Sequence, residues 1–177
     1  MWVFIMGAII TSVYPSIMQA NKEGDEKEFE RINKILYAIV FYMSVAVSAL
    51  FALFAEPIIY ILYSEAYMPA ANPLRIITWY TAFSYLGVAR NAWVVGKDKQ
   101  KYLIWIYASA ALSNVLLNMW LIPIWGASGA ALASLAAQIV TVMVAPFFIK
   151  PLKRNSVLML EAIALKGLKK TENNMEE

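Results

Sequence analysis

The chain has 177 residues, of which 61% are apolar and 15% are charged, and its formal net charge is +3. Soluble domains are nearer half apolar and a quarter charged. A soluble domain of this size has too high a ratio of surface to volume to bury the additional apolar side chains. Cysteine and histidine are absent, which excludes disulfides, thiolate chemistry and histidine-based catalysis or metal binding. Composition therefore predicts an all-α integral membrane protein, and we expect no metal and no cofactor.

Five apolar stretches each have close to the roughly 20 residues that cross a hydrocarbon core. They cover about residues 1–20, 35–55, 73–96, 102–122 and 126–149. The first lacks the basic leading segment of a signal peptide. A shorter stretch, Pro57 to Tyr63, is too brief to span and is predicted to form a half-turn that closes the second helix. The membrane domain is thus expected to fill residues 1–150.

The basic residues between these stretches alternate. Lys and Arg number 4, 1, 3 and 0 in the successive connections and 6 in the tail. Cytoplasmic loops are enriched in these residues, so the alternation predicts an N-terminus outside the cell and a C-terminus in the cytoplasm. Membrane topology therefore accounts for the positive charge, and a nucleic-acid partner is not expected.

The tail, residues 151–177, carries a pattern that suits a short helix. Between residues 155 and 170, Val157, Leu160, Ala164 and Leu168 form one stripe and lysines cluster at the end. The pattern favours either an amphipathic helix on the anionic cytoplasmic leaflet or a partly helical tail. The last seven residues, TENNMEE, are predicted to be disordered.

A few polar side chains fall inside the apolar stretches, where such residues are costly and usually face protein or a water-filled cavity. They are the candidate substrate-binding residues Arg90, Asn91, Asn114, Asn118 and Gln138. The guanidinium of Arg90 matches phosphate oxygens with a two-pronged fork. The alternatives are that Arg90 extends to headgroups and that the amides form hydrogen bonds between helices.

Glu56 is the one acidic residue considered for ion coupling. It precedes Pro57 at the outer end of the second stretch, where it is either a coupling carboxylate for protons or sodium or an interfacial residue at a helix end. The sequence contains no nucleophile with its base, no phosphate-binding glycine loop and no metal-ligand cluster. We therefore do not expect an enzyme.

The order of several segments is distinctive. VYPSIMQA is followed by GDEKEFERINK, by EPIIYILYSEAYMPAANPLRI, by VGKDKQKY and by LSNVLLNMWLIPIWGASGAALASLAAQ. Over roughly residues 10 to 150 this succession resembles the C-terminal half of polysaccharide repeat-unit flippases. These are the O-antigen and teichuronic-acid transporters of the multidrug/oligosaccharidyl-lipid/polysaccharide exporter superfamily.

The resemblance implies a function and a set of partners. Family members have twelve helices in two lobes around a central cavity, and this chain looks like helices eight to twelve, in the C-terminal lobe. It implies flipping of lipid-linked oligosaccharides by alternating access in the bacterial inner membrane, with Arg90, Asn91, Asn114 and Asn118 as cavity residues. The implied partners are membrane lipids, an N-terminal lobe and other glycan-assembly proteins.

Three alternatives remain open at this stage. One is a drug or cation antiporter of the same superfamily, which would need a membrane carboxylate such as Glu56. The second is a membrane enzyme of glycan assembly, against which the missing histidine argues. The third is an interaction module or an inactive remnant of a truncated gene, because half a transporter cannot enclose a cavity between two lobes.

Overall fold

The computed structural model describes residues 2–166, and this part of the chain is helical without a β-strand. The all-α prediction is confirmed at that level. The α-helices are α1 (Trp2–Glu23), α2 (Glu26–Leu53), α3 (Ala55–Tyr63), α4 (Ala71–Gly96), α5 (Leu103–Ile139), α6 (Ala145–Phe148) and α7 (Lys153–Ile163). A π-helical turn (Val140–Val144) joins α5 to α6, and 3-10 turns occupy Glu65–Ala70, Gln100–Tyr102 and Lys150–Leu152.

The charged segment predicted to be a long connection before residue 35 is helical, because α2 begins at Glu26. The side chain of Asp25 caps this helix by accepting a hydrogen bond from the Glu28 amide at 3.0 Å. Acidic side chains in a first turn also interact favourably with the positive end of the helix dipole. The connection between α1 and α2 is therefore only Gly24 and Asp25, not a fourteen-residue loop.

α5 breaks at Gly126, and the two arms on either side of it fold back on each other. Gly126 has φ 52° and ψ −128°, a conformation that only glycine adopts readily. A Cβ at Gly129 would lie 2.1 Å from the Leu121 carbonyl oxygen, although eight residues of straight helix would separate the two by about 12 Å. We call residues 103–125 the first arm and residues 127–139 the second arm.

α4 lies at the centre of the bundle and contacts α1, α2, α3 and α5. It buries Leu86, Ala89 and Trp93 in a core that also contains residues of α1, α2 and α7. At one end of the bundle, a Cβ at Gly96 would meet Met18 of α1 and Phe29 of α2, each at 3.0 Å. We call this the charged end, because Lys97 pairs there with Glu26 of α2.

α7 packs against α2 and buries Leu158, Met159 and Ala162 in the shared core. The Asn155 side-chain amide donates to the Tyr37 hydroxyl at 2.5 Å, and both residues are fully buried. The helix ends at Ile163, whereas the sequence predicted a helix over residues 155–170, of which 167–170 fall outside the described part.

The face of α7 that packs is not the stripe singled out in the sequence. Leu160 is 43% exposed and Ala164 is exposed, while Val157 is only half-buried. The fourth member of that stripe, Leu168, lies beyond residue 166 and outside the described structure. The buried face instead starts at Asn155 and continues through Leu158 and Met159.

Two helical segments in residues 2–166 are long and apolar enough to cross a membrane. They are Glu26–Leu53 and the continuous stretch Gln100–Phe148, which has 49 residues and includes the break at Gly126. Only 33% of the apolar window in each segment is buried. Their apolar side chains therefore face outward to a large extent, unlike those of the central helix of a soluble domain.

Candidate functional site: a polar cleft between α4 and α5

Two adjoining cavities separate α4 from the two arms of α5. Their volumes are about 480 Å³ and 290 Å³, and both are bordered by Tyr80 of α4, Ala110 of the first arm, Gln138 of the second arm and Thr141 of the π turn. The larger cavity also reaches Asn114 and Ser134, and the smaller one Ser84, Arg90, Asn91 and Tyr107. We call the two together the polar cleft.

Arg90 is 1% exposed and borders the smaller cavity. Its Nη1 donates to the Thr141 carbonyl oxygen at 2.9 Å, and its Nη2 makes a long contact of 3.5 Å with Asn91 Oδ1. Its Nε is buried without a hydrogen-bond partner in the described structure. The guanidinium therefore lies inside the protein, bonded to the opposite helix.

The Thr141 carbonyl is available to Arg90 because of the local sequence. In an α-helix, the Ala145 amide would donate to the Thr141 carbonyl, four residues back. In the π turn it donates instead to the Val140 carbonyl, five residues back. The next amide in this register would belong to residue 146, which is proline and has no N–H. Pro146 thus leaves a buried carbonyl without its helical donor, and the Arg90 side chain supplies one.

The neighbouring residue, Asn91, makes a second link across the cleft. Its Nδ2 donates to the Tyr107 hydroxyl of the first arm at 3.3 Å. Consecutive residues of α4 therefore hold the two arms of α5 separately, Arg90 contacting the π turn after the second arm and Asn91 contacting the first. A change at either contact would alter the width of the polar cleft.

The other sequence candidates divide between the polar cleft and its surroundings. Asn114 and Gln138 line it from opposite arms. Asn118 lies one turn from Asn114, to which its Nδ2 donates at 2.9 Å, and borders a third cavity of about 400 Å³ with Met119 and Pro123. Asn114 and Gln138 thus line the polar cleft, whereas Asn118 bonds to Asn114 along one face of the first arm.

Glu56 does not line any of these three cavities. Its Oε1 accepts a hydrogen bond from Arg75 Nη2 at 2.7 Å, and both side chains are about half exposed. The structure therefore gives this carboxylate an arginine partner near the start of α4.

Sequence analysis missed Tyr80, Ser84, Tyr107, Ser134 and Thr141 as cleft residues. Serine and threonine are common in apolar helices, where they bond to their own backbone, and tyrosine is common in such helices too, so residue type alone did not mark these positions. Thr141 had a readable signal, since Pro146 follows it by five residues. A proline late in an apolar helix predicts a carbonyl upstream that needs a substitute donor.

The electrostatics of the polar cleft favour an anion. Arg90 is the one charged residue among the described residues that line it, and no acidic side chain is there to compensate it. A buried cation without a partner costs several kcal/mol, and a phosphate or pyrophosphate group would offset this cost. The same part of the chain, residues 2–166, contains no group of three or more acidic residues that could hold a metal ion.

Comparisons with known proteins add no independent support for the family resemblance seen in the sequence. No family model, curated protein or solved structure matches the chain. The fold and the polar cleft therefore carry the functional argument.

Proposed function

We propose that this chain is the C-terminal part of a flippase that moves lipid-linked polysaccharide repeat units across the bacterial inner membrane by alternating access. The observation that carries the proposal is the polar cleft, in which Arg90 is buried without an acidic partner. A lipid-linked sugar carries its negative charge on phosphate groups, and guanidinium is the side chain best matched to them.

The proposal includes five membrane crossings, by α1, α2, α4 and the two halves of the 100–148 segment, with the N-terminus outside. The support is that the long apolar segments leave two thirds of their apolar windows unburied, which suits contact with lipid or with another lobe. The break at Gly126 supports two crossings, because a straight helix of 49 residues would measure about 73 Å against a hydrocarbon core of about 30 Å.

A second lobe is part of the proposal. The first arm of α5 exposes a run of large apolar side chains, including Trp105, Leu112, Leu116, Met119 and Trp120. In the proposed transporter these residues contact lipid on one side and the N-terminal lobe on the other. The chain would then supply one wall of the transport cavity and its partner lobe the other.

Replacing Arg90 tests the proposal. In the complete transporter, Arg90→Ala should abolish complementation of a flippase-deficient strain while the membrane level of the protein stays normal. Arg75→Ala is the matched control, since it removes another α4 arginine, one that pairs with Glu56 outside the polar cleft, and it should retain complementation. Full complementation by Arg90→Ala would contradict the proposed role.

A further inference from the structure

We infer that the charged end carries a binding surface for the headgroups of anionic lipids, formed by Lys101, Lys150 and Lys153. We call these three residues the lysine cluster. The inference rests on the proposed function for the membrane arrangement, in which this end lies at the cytoplasmic leaflet. The ligand is a phospholipid of the surrounding bilayer, and the surface is separate from the polar cleft.

The side chain of Lys99 brings the lysine cluster together. Its Nζ donates to the Pro151 carbonyl at 2.8 Å. This bond joins the 3-10 turn Gln100–Tyr102, which contains the first lysine of the cluster, to the 3-10 turn Lys150–Leu152, which contains the second. Lys153 follows directly as the first residue of α7. Two turns that are about fifty residues apart in the sequence therefore present their lysines at one place.

The lysine cluster lacks the acidic partners that several other basic residues near this end have. Lys97, Lys34 and Arg154 each form an ion pair with a glutamate. The three lysines of the cluster are exposed and form no ion pair with any described residue. Asp98, the acidic residue nearest to them in the sequence, is also exposed and without an ion pair within residues 2–166. The cluster therefore presents a net positive charge.

Exposed apolar side chains adjoin the lysine cluster. Ile104 and Trp105 come one turn after its first lysine, and Phe148, which is 84% exposed, comes two residues before its second. A lysine beside such side chains can lay its stem along hydrocarbon and hold its ammonium group among the headgroups. A phospholipid contacts both the charges and the apolar side chains, whereas an acidic protein segment would match the charges alone. The surroundings therefore favour an anionic lipid.

Native mass spectrometry tests the inference. The full chain in detergent is titrated with phosphatidylglycerol or with phosphatidylcholine, and the ratio of the two affinities gives the preference for the anionic headgroup. A basic residue near an anionic lipid strengthens the attraction by about fivefold. Lys101→Gln/Lys150→Gln should therefore reduce the preference of the protein for phosphatidylglycerol by at least about fivefold.

Lys22→Gln/Lys27→Gln is the matched control, because it removes two other exposed lysines without an ion pair and changes the net charge by the same amount. Residues 22–30 also include five acidic side chains, so this segment does not attract an anion. The control should retain the preference for phosphatidylglycerol. An equal loss in the two double variants, or no loss in the cluster variant, would overturn the inference.

Photo-cross-linking locates the surface on the unaltered protein. In nanodiscs, a phosphatidylglycerol with a photoreactive headgroup should cross-link mainly to residues 100–105 and 148–153, and the matching phosphatidylcholine should not. The same pattern with both lipids, or cross-links mainly elsewhere, would overturn the inference. Neither measurement involves Arg90, so the lipid surface can fail while Arg90→Ala still abolishes complementation, and the proposed function can fail while lipid binding is retained.

Discussion

At the contact between α2 and α7, basic side chains are matched with acidic ones, while in the polar cleft between α4 and α5 a basic side chain is buried without one. Lys34 pairs with Glu161 at 2.5 Å, and Arg154 pairs with Glu30. Arg90, by contrast, donates to the Thr141 carbonyl and contacts the Asn91 side-chain oxygen, neither of which carries a charge. The α2–α7 contact thus uses its charges to hold helices together, whereas the polar cleft contains a positive charge that no acidic side chain among its described lining residues balances.

The difference extends to packing. The α2–α7 contact places Leu36, Leu152 and Leu158 in one core with no exposed surface. The polar cleft leaves about 480 Å³ and 290 Å³ unfilled. Changes at the first region should therefore lower stability, whereas a change in the cleft at a side chain without a hydrogen bond, such as Gln138, should affect ligand binding while stability stays nearly constant.

The largest expected loss of stability comes from Leu158→Ala in α7. A buried leucine cut to alanine leaves a cavity and typically costs about 2–5 kcal/mol, so Tm in detergent should fall by several degrees. Leu160→Ala is the matched control on the same helix, because Leu160 is exposed, and should change the free energy of unfolding by less than about 0.5 kcal/mol. Equal losses for both variants would show that the packed face of α7 is not the one described.

A smaller effect is expected from the ion pair between Lys34 and Glu161. The hydrogen bond from Lys34 holds the pKa of Glu161 below its ordinary value. The contribution of the ion pair to stability is therefore fully present above the pKa of unfolded glutamate, about 4.3. It is lost as pH falls through the lower pKa of Glu161 in the folded state. Glu161→Gln should remove this contribution, about 1 kcal/mol or less.

The measurement for this pair is Tm as a function of pH between 3 and 7, in the unaltered protein and in Glu161→Gln. The Tm difference between the two should be largest near pH 7 and should shrink toward pH 3. Glu65→Gln, which removes an exposed acidic residue in the 3-10 turn Glu65–Ala70, is the matched control. A constant difference across the range would show that the pair does not contribute through its charge.

The smallest effect on stability is expected in the polar cleft. The Gln138 side chain makes no hydrogen bond to any described residue and lines both cavities. Gln138→Leu keeps its volume and removes no partner, so the free energy of unfolding should change by less than about 0.5 kcal/mol. Pyrophosphate binding should weaken, because the cavity loses a polar group. A loss of stability as large as that of Leu158→Ala would remove the contrast between the two regions.

Much of the helical plan could be predicted because apolar runs and glycine are strong signals. The break predicted between 122 and 126 coincides with the left-handed Gly126, and α4 ends at Gly96, where the third apolar stretch was predicted to end. The start of α2 was missed because charge density was taken as a sign of a loop. Asp25 and the acidic first turn in fact form a strong N-terminal helix signal.

Tertiary contacts explain what the sequence could not predict. The α7 pattern allows several apolar stripes, and only the position of α2 decides that Leu158, not Leu160, is buried. In the cleft, Arg90 and Asn91 could be proposed from their cost in an apolar helix. Their partners, Thr141 and Tyr107, depend on how the arms of α5 fold back, which local spacing does not specify.

The proposed five-crossing arrangement is open to one direct measurement, because the chain contains no cysteine. Single cysteines would be placed at exposed positions in the connections or at the adjoining helix ends and labelled in intact cells with a membrane-impermeant maleimide. The five variants are Lys22→Cys, Tyr67→Cys, Gln100→Cys, Trp125→Cys and Lys150→Cys. We predict that the variants at residues 67 and 125 are labelled from outside, and those at 22, 100 and 150 only after the membrane is opened. Labelling of residues 100 and 125 from the same side would contradict the arrangement. The polar cleft would then not lie on a path across the membrane.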